Sequence, residues 1–112
     1  MEPTEPTIKV EYGTDVTIAT FEDENILEEQ QIKHLEATLL PIIESNEQKQ
    51  LVLNFENVQF MSSAFLGLLV KVHKRVLDAG GTLQLINLAP TLYKVFEITQ
   101  LTKVFDIVVA GK

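Results

Sequence analysis

The sequence predicts an α/β domain built on a mixed, mostly parallel sheet of four to five strands. Three observations point to it. Short runs rich in β-branched and aromatic residues alternate along the chain with longer runs whose apolar residues recur at helical spacing. Leu51–Phe55 is apolar at adjacent positions, so that strand is expected to be covered on two sides, as in a parallel sheet. Gly80-Gly81 and Pro90 punctuate the helical runs, since glycine stops a helix and proline starts one. With 112 residues, 46% of them apolar and 22% charged, the composition is that of one ordinary globular domain.

Residues 1–7 carry two Glu-Pro pairs and read as a disordered N-terminal tail ahead of a single domain over 8–112. Ile8–Tyr12 and Asp15–Phe21 are strands, and Gly13-Thr14 between them is the turn of a hairpin. Five acidic residues then surround Asn25 between Glu22 and Glu29. Asn25, with Glu28 three residues later, predicts a helix start: a capping side chain plus an acid near the positive helix end. The acidic run is a solvated helix start rather than a calcium loop, which needs carboxylates at alternating positions around a central glycine.

Ile32, Leu35, Leu39 and then Ile42 or Ile43 form the buried stripe of this first helix. Pro41 removes a backbone donor and is expected to kink or end the helix near Leu40. Ser45–Gln50 is a polar loop before the strand Leu51–Phe55. A second helix runs from Ser62 or Ser63 to Ala79, and Thr82–Asn87 is the next strand. Pro90 opens a third helix to about Thr99, with Leu92, Val95, Phe96 and Thr99 facing inward. Val104–Val109 is a last strand or a closing helical turn; its spacing leaves both open.

Charge is uneven. Residues 1–47 hold twelve acidic and two basic side chains, a net of −10, whereas residues 48–112 carry +3. An acidic chain is a poor binder of nucleic acid or anionic membrane, because phosphate attraction dominates such affinities. The split serves solubility first, and a charged protein partner second. The sequence has no cysteine, which excludes disulfides, thiolate metal sites and cysteine catalysis. Its longest apolar run, Ala64–Val70, is far short of the roughly twenty residues that cross a membrane. The N-terminal residues have no basic side chain before Lys9 and do not form a signal peptide, so the expected location is the cytoplasm.

Signals of catalysis are absent. Gly80-Gly81 lacks the lysine and threonine of a phosphate loop, and Ser62-Ser63 lacks the flanking glycines of a nucleophile elbow. Ser63, His73 and Asp78 supply the residue types of a triad. On one helix, however, Ser63 and His73 stand about 15 Å apart at 1.5 Å per residue, too far for a hydrogen bond. His73 falls inside an apolar stripe as a half-buried side chain, and His34 lies beside Lys33 as a surface one. The expectation is a protein that is not an enzyme, with neither metal nor cofactor.

The second helix is the informative segment. On a helical wheel Phe65, Leu66, Leu68, Leu69, Val70, Val72, His73, Val76 and Leu77 sweep an arc of about 200°, twice the stripe a helix on a sheet needs. The first explanation is a helix wedged between the sheet and a neighbouring helix. The second leaves an edge near Phe65 and Leu68 exposed for a partner.

The stretch from Leu51 to Gly81 resembles the STAS domain of bacterial anti-sigma factor antagonists. Those proteins have an apolar strand, a short loop, an Asp-Ser-Ser/Thr-Gly-Leu-Gly motif opening a helix, and a Gly-Gly before the next strand. Here the loop is Glu56–Phe60, the motif reads Met61-Ser62-Ser63-Ala64-Phe65-Leu66-Gly67, and Gly80-Gly81-Thr82-Leu83 follows. Pro90, Val95, Phe96, Thr99 and Leu101 continue the pattern, so the resemblance covers roughly residues 8–109. It implies a sheet with helices mainly on one face.

It also implies a switch in partner choice. The unphosphorylated antagonist binds an anti-sigma factor kinase and so frees a sigma factor; the kinase phosphorylates the antagonist, and a serine phosphatase resets it. The family's acceptor serine falls on Ser63, with Ser62 the second choice. Its aspartate falls on Ser62, its following serine or threonine on Ala64, and its glycine on Phe65, while Leu66 and Gly67 match. Ser62, Ser63, Ala64, Phe65 and Leu68 are then the partner-binding residues, with Phe65 a candidate exposed anchor. The alternative is a STAS interaction module that is not phosphorylated, in a stress-signalling scaffold or a lipid-transporter complex.

Overall fold

Gly13 donates its N–H to the Val16 carbonyl at 2.8 Å and closes the hairpin between β1 (Ile8–Tyr12) and β2 (Val16–Phe21). The turn places Thr14-Asp15 at its corner, one residue later than Gly13-Thr14. The computed structural model describes residues 8–45 and 49–108. The tail expected over 1–7, the middle of the polar loop and Val109 lie outside them. After the hairpin come β3 (Asn25–Ile26), α1 (Glu29–Ser45), β4 (Gln50–Asn54), β5 (Phe60–Met61) and α2 (Ser63–Asp78). Then follow β6 (Thr82–Ile86), α3 (Pro90–Ile98), a 3₁₀ turn at Leu101–Lys103, and β7 (Asp106–Val108).

The main sheet runs β1-β2-β4-β6-β7, antiparallel at β1–β2 and parallel at every other pair. The expected mixed, mostly parallel sheet is therefore present, with five strands, and the last segment forms a strand rather than a helical turn. Registers Thr17↔Leu51↔Leu83 and Ala19↔Leu53↔Leu85 align alternate side chains across three strands. Apart from Thr17, these residues are apolar; they join Leu35 and Leu39 of α1, Leu69 and Val72 of α2, and Leu92 and Phe96 of α3 in one core.

The opposite face differs. Val52 is buried but stands outside that core. Half-buried Ile18 and Ile86 share the face with it, and polar side chains run between them: Asn54 Nδ2 donates to Thr20 Oγ1 at 3.3 Å, and Asn87 Nδ2 donates to Asn54 Oδ1 at 2.9 Å. Gln84 Nε2 reaches Asp106 Oδ2 at 3.3 Å. Satisfied polar side chains let a sheet face water without a covering layer.

Two expectations are corrected. Asn25 is in a strand and caps no helix; α1 starts at Glu29. Gln31 organises that start: its Oε1 accepts the N–H groups of Leu27 (2.9 Å) and Glu28 (3.2 Å), and its Nε2 donates to the Asn25 carbonyl at 2.6 Å. A side chain reaching back from the third helical position is half of a capping box. Pro41 does not end α1, which continues to Ser45. Pro41 and Ala37 are both exposed, so the Ala37 carbonyl that loses its N–H partner faces water, while Ile42 and Ile43 anchor the last turn in the core.

Gly80 and Gly81 close α2 for two different reasons. Gly80 N–H bonds Leu77 O and Gly81 N–H bonds Val76 O, each at 3.0 Å, the pair of bonds of a Schellman motif. That motif needs a left-handed residue, and Gly80 has φ 82°. Gly81 instead lies against the Lys49 carbonyl, where any Cβ would collide with backbone.

Candidate functional site

The start of α2 is held by a second, two-stranded sheet that no periodicity announces. β3 and β5 pair in parallel, Asn25 opposite Phe60 and Ile26 opposite Met61. The Glu24 carbonyl accepts from Gln59 N–H at 2.7 Å and Phe60 N–H at 3.2 Å, and the Ile26 carbonyl accepts from Ser62 N–H at 3.0 Å. The acidic segment before α1 is thereby clamped beside the serine pair.

The two serines have different surroundings. Ser62 is the N-cap, extended at φ −89° and ψ 166°, and its Oγ accepts the Phe65 N–H at 3.3 Å. Its carbonyl accepts the first helical bonds, from Phe65 N–H (3.1 Å) and Leu66 N–H (3.3 Å). Ser63 is the first helical residue and is exposed, as are Ala64 and Gly67. The N–H groups of Ser63 and Ala64 have no acceptor within the helix, so the positive end of the helix opens beside the Ser63 hydroxyl. A Cβ on Gly67 would meet nothing within 4 Å. Ser63, Ala64 and Gly67 thus present a low, uncharged surface.

Phe65 and Leu68 are not on that surface. Phe65 is 0% exposed and Leu68 5%, which removes the exposed-anchor expectation for both. Phe65 packs in an aromatic triangle with Phe21 (5.5 Å between centroids) and Phe55 (6.4 Å). The wide apolar arc of α2 has the first of its two explanations: the helix packs on α1 and on β6. Only Leu77, 51% exposed at the far end, leaves the buried set outright. His73 is half-buried and lies in a tilted, edge-type contact with Phe105, ring centroids 5.3 Å apart. His34 is also half-buried, not fully at the surface.

Two residues outside the expected binding set stand beside the serines instead: Phe60, expected in a loop, and Leu27, expected in the first turn of a helix capped by Asn25. Phe60 is 62% exposed and Leu27 51%. Phe60 precedes Met61-Ser62, and Leu27 follows the Ile26 whose carbonyl holds Ser62. A large aromatic residue between Gln59 and Met61 was the one available signal, because two-residue strands have no period to detect. On the other side of the exposed helix face, Lys71 makes an ion pair with Glu36 of α1. Among the described residues no group of three or more His, Asp or Glu side chains is placed to hold a metal ion. No helix of the described residues is long and apolar enough to cross a membrane.

With this geometry in place, three similarities can be compared. An anti-sigma-B factor antagonist of Bacillus subtilis (strain 168) is 36% identical over 73 residues, 65% of this chain and 65% of that protein. An anti-sigma-factor antagonist (STAS) domain protein from Planctomyces limnophilus superposes with a TM-score of 0.79 at 23% identity, covering 94% of this chain and 91% of its own. The phosphorylated form of the Bacillus cell fate determinant SpoIIAA superposes with a TM-score of 0.70 at 20% identity, covering 95% and 93%. The family model described as the STAS domain matches residues 15–110, from the hairpin turn to beyond β7, and this chain belongs to that family.

Proposed function

We propose that this chain is an anti-sigma factor antagonist. In its unphosphorylated form it binds an anti-sigma factor kinase through the start of α2, and phosphate on Ser63 ends that binding until a phosphatase removes it. The observation that carries this is the division of labour between the serines. Ser62 Oγ is engaged by the Phe65 N–H, whereas Ser63 is exposed on the first turn of the helix. A phosphate there adds about −1.5 to −2 charges beside unpaired backbone donors, which tolerate it. The same charge would lose its water inside an interface built on the uncharged Ser63–Ala64–Gly67 surface, which opposes binding. The relative named anti-sigma-B factor antagonist and the phosphorylated SpoIIAA structure support the same reading. The role is binding, with the chemistry supplied by kinase and phosphatase.

One observation favours the second reading, a module that is not phosphorylated: Phe65 fills the position of the family's glycine with a core side chain, and Ser62 that of its aspartate. A binding titration against the anti-sigma factor kinase separates the two. The antagonist reading expects Ser63→Asp to weaken binding more than Ser62→Asp, and Ser63→Ala to bind as the parent does. Equal binding by all three variants and the parent would move the protein to the fixed-module reading.

A further inference from the structure

We propose that this chain pairs with a second copy of itself along the outer edge of β1, in an antiparallel ladder with a two-fold axis at Val10. β1 ends the sheet order, and among the described residues no strand pairs with its outer side. The hairpin bond from Gly13 N–H to Val16 O fixes which residues point inward. Bonded and non-bonded pairs alternate along an antiparallel ladder, so Glu11↔Ile18 and Lys9↔Thr20 are the bonded pairs with β2. The N–H and C=O groups of Ile8, Val10 and Tyr12 therefore point away from the sheet.

A two-fold ladder must set those three residues opposite one another, and the side chains of β1 then choose the register. Shifted one way, Lys9 faces the partner's Lys9. Shifted the other way, Glu11 faces the partner's Glu11. Only the ladder centred on Val10 puts Lys9 opposite Glu11, and does so twice by symmetry. Those are non-bonded pairs, where the Cα atoms approach to about 4.5 Å and side chains meet most closely. The same register sets Ile8 opposite Tyr12, which is 67% exposed, and covers what remains open of Ile8 and Val10, already packed on the core.

Charged side chains on an edge strand ordinarily block strand addition. Lys9 and Glu11 are both exposed, and their opposite signs two residues apart disfavour both neighbouring registers of self-pairing and favour the one centred on Val10. A ladder of five residues is short, so the dimer is reversible and forms as concentration rises.

Sedimentation equilibrium of the full chain from micromolar to millimolar concentration tests this. The parent should pass reversibly from monomer to dimer. Lys9→Glu and Glu11→Lys should each dissociate about tenfold more readily, since two attractive cross-strand pairs become repulsive. The double variant should recover parental association. An equimolar mixture of the two single variants should recover it as a heterodimer. Val10→Pro removes an outward N–H and should abolish pairing, since the β2-facing bonds are made by Lys9 and Glu11 rather than by Val10. A parent that stays monomeric throughout, or a dimer indifferent to both charge reversals, would overturn the proposal.

Discussion

Phe65 meets Phe21 edge-on, with ring centroids 5.5 Å apart and planes at 85°, so the residue two positions after the candidate switch serine is a keystone of the core. Phe55 touches both rings, at 5.1 Å from Phe21 and 6.4 Å from Phe65. The first turn of α2 is thereby fixed from inside while its outer side stays open.

Replacing Phe65 should therefore disturb the fold before it disturbs recognition. Phe65→Ala should lose about 3–5 kcal/mol of stability, the usual loss for a buried phenylalanine. Urea unfolding followed by circular dichroism measures it. A loss below about 1 kcal/mol would mean that the aromatic triangle does not hold the helix start.

The serines should separate in the same experiment. Ser62→Ala removes the oxygen that accepts the Phe65 N–H and should lower stability by about 1 kcal/mol. Ser62→Asp keeps an acceptor and adds a favourable charge at the helix start, so it should hold or raise stability. Ser63→Ala should stay within about 0.5 kcal/mol of the parent, as exposed substitutions do.

Three glycines should respond in three ways. Gly80→Ala strains a backbone at φ 82° and should destabilise by about 1–2 kcal/mol. Gly81→Ala drives a methyl into the Lys49 carbonyl and should destabilise as well. Gly67→Ala has open space and should stabilise by up to about 1 kcal/mol. Thermal melts of the three variants give the comparison. Gly67→Glu, equally open to solvent, should keep the fold and weaken kinase binding.

Much of this was legible in the sequence. Leu51–Phe55, Gly80-Gly81 and Pro90 each combine a strong local preference with a strong hydrophobic pattern, so helix stop and helix start fell as expected and the strand fell one residue earlier, at Gln50–Asn54. Pro41 misled because tertiary packing of Ile42 and Ile43 outweighs the loss of one solvent-side hydrogen bond. Asn25 misled because capping chemistry is available to any exposed Asn, while the strand β3 spans two residues and has no period. The position of Ser62 and Ser63 at the start of α2 was readable from motif spacing. Phe65 was not placed correctly, because an arc of 200° does not say which of its edges is open. Phe60 and Leu27 were missed because their proximity comes from a pairing between segments 35 residues apart in sequence, Asn25 and Phe60.

Phe60 gives the clearest contrast with Phe65. It is 62% exposed beside the serines, so Phe60→Ala should leave stability nearly unchanged and cost about 2 kcal/mol or more in kinase affinity, as aromatic anchors do. Isothermal titration of the folded variant decides it. Unaltered affinity would take Phe60 out of the interface.

The most direct test of the central claim is to incubate the full chain with the proposed partner, an anti-sigma factor kinase, and ATP and to map phosphate by mass spectrometry. The account predicts phosphate on Ser63 and none on Ser62, with kinase binding lost in proportion to the modified fraction. Phosphate on neither serine while kinase binding persists, or phosphate on Ser62 alone, would contradict it.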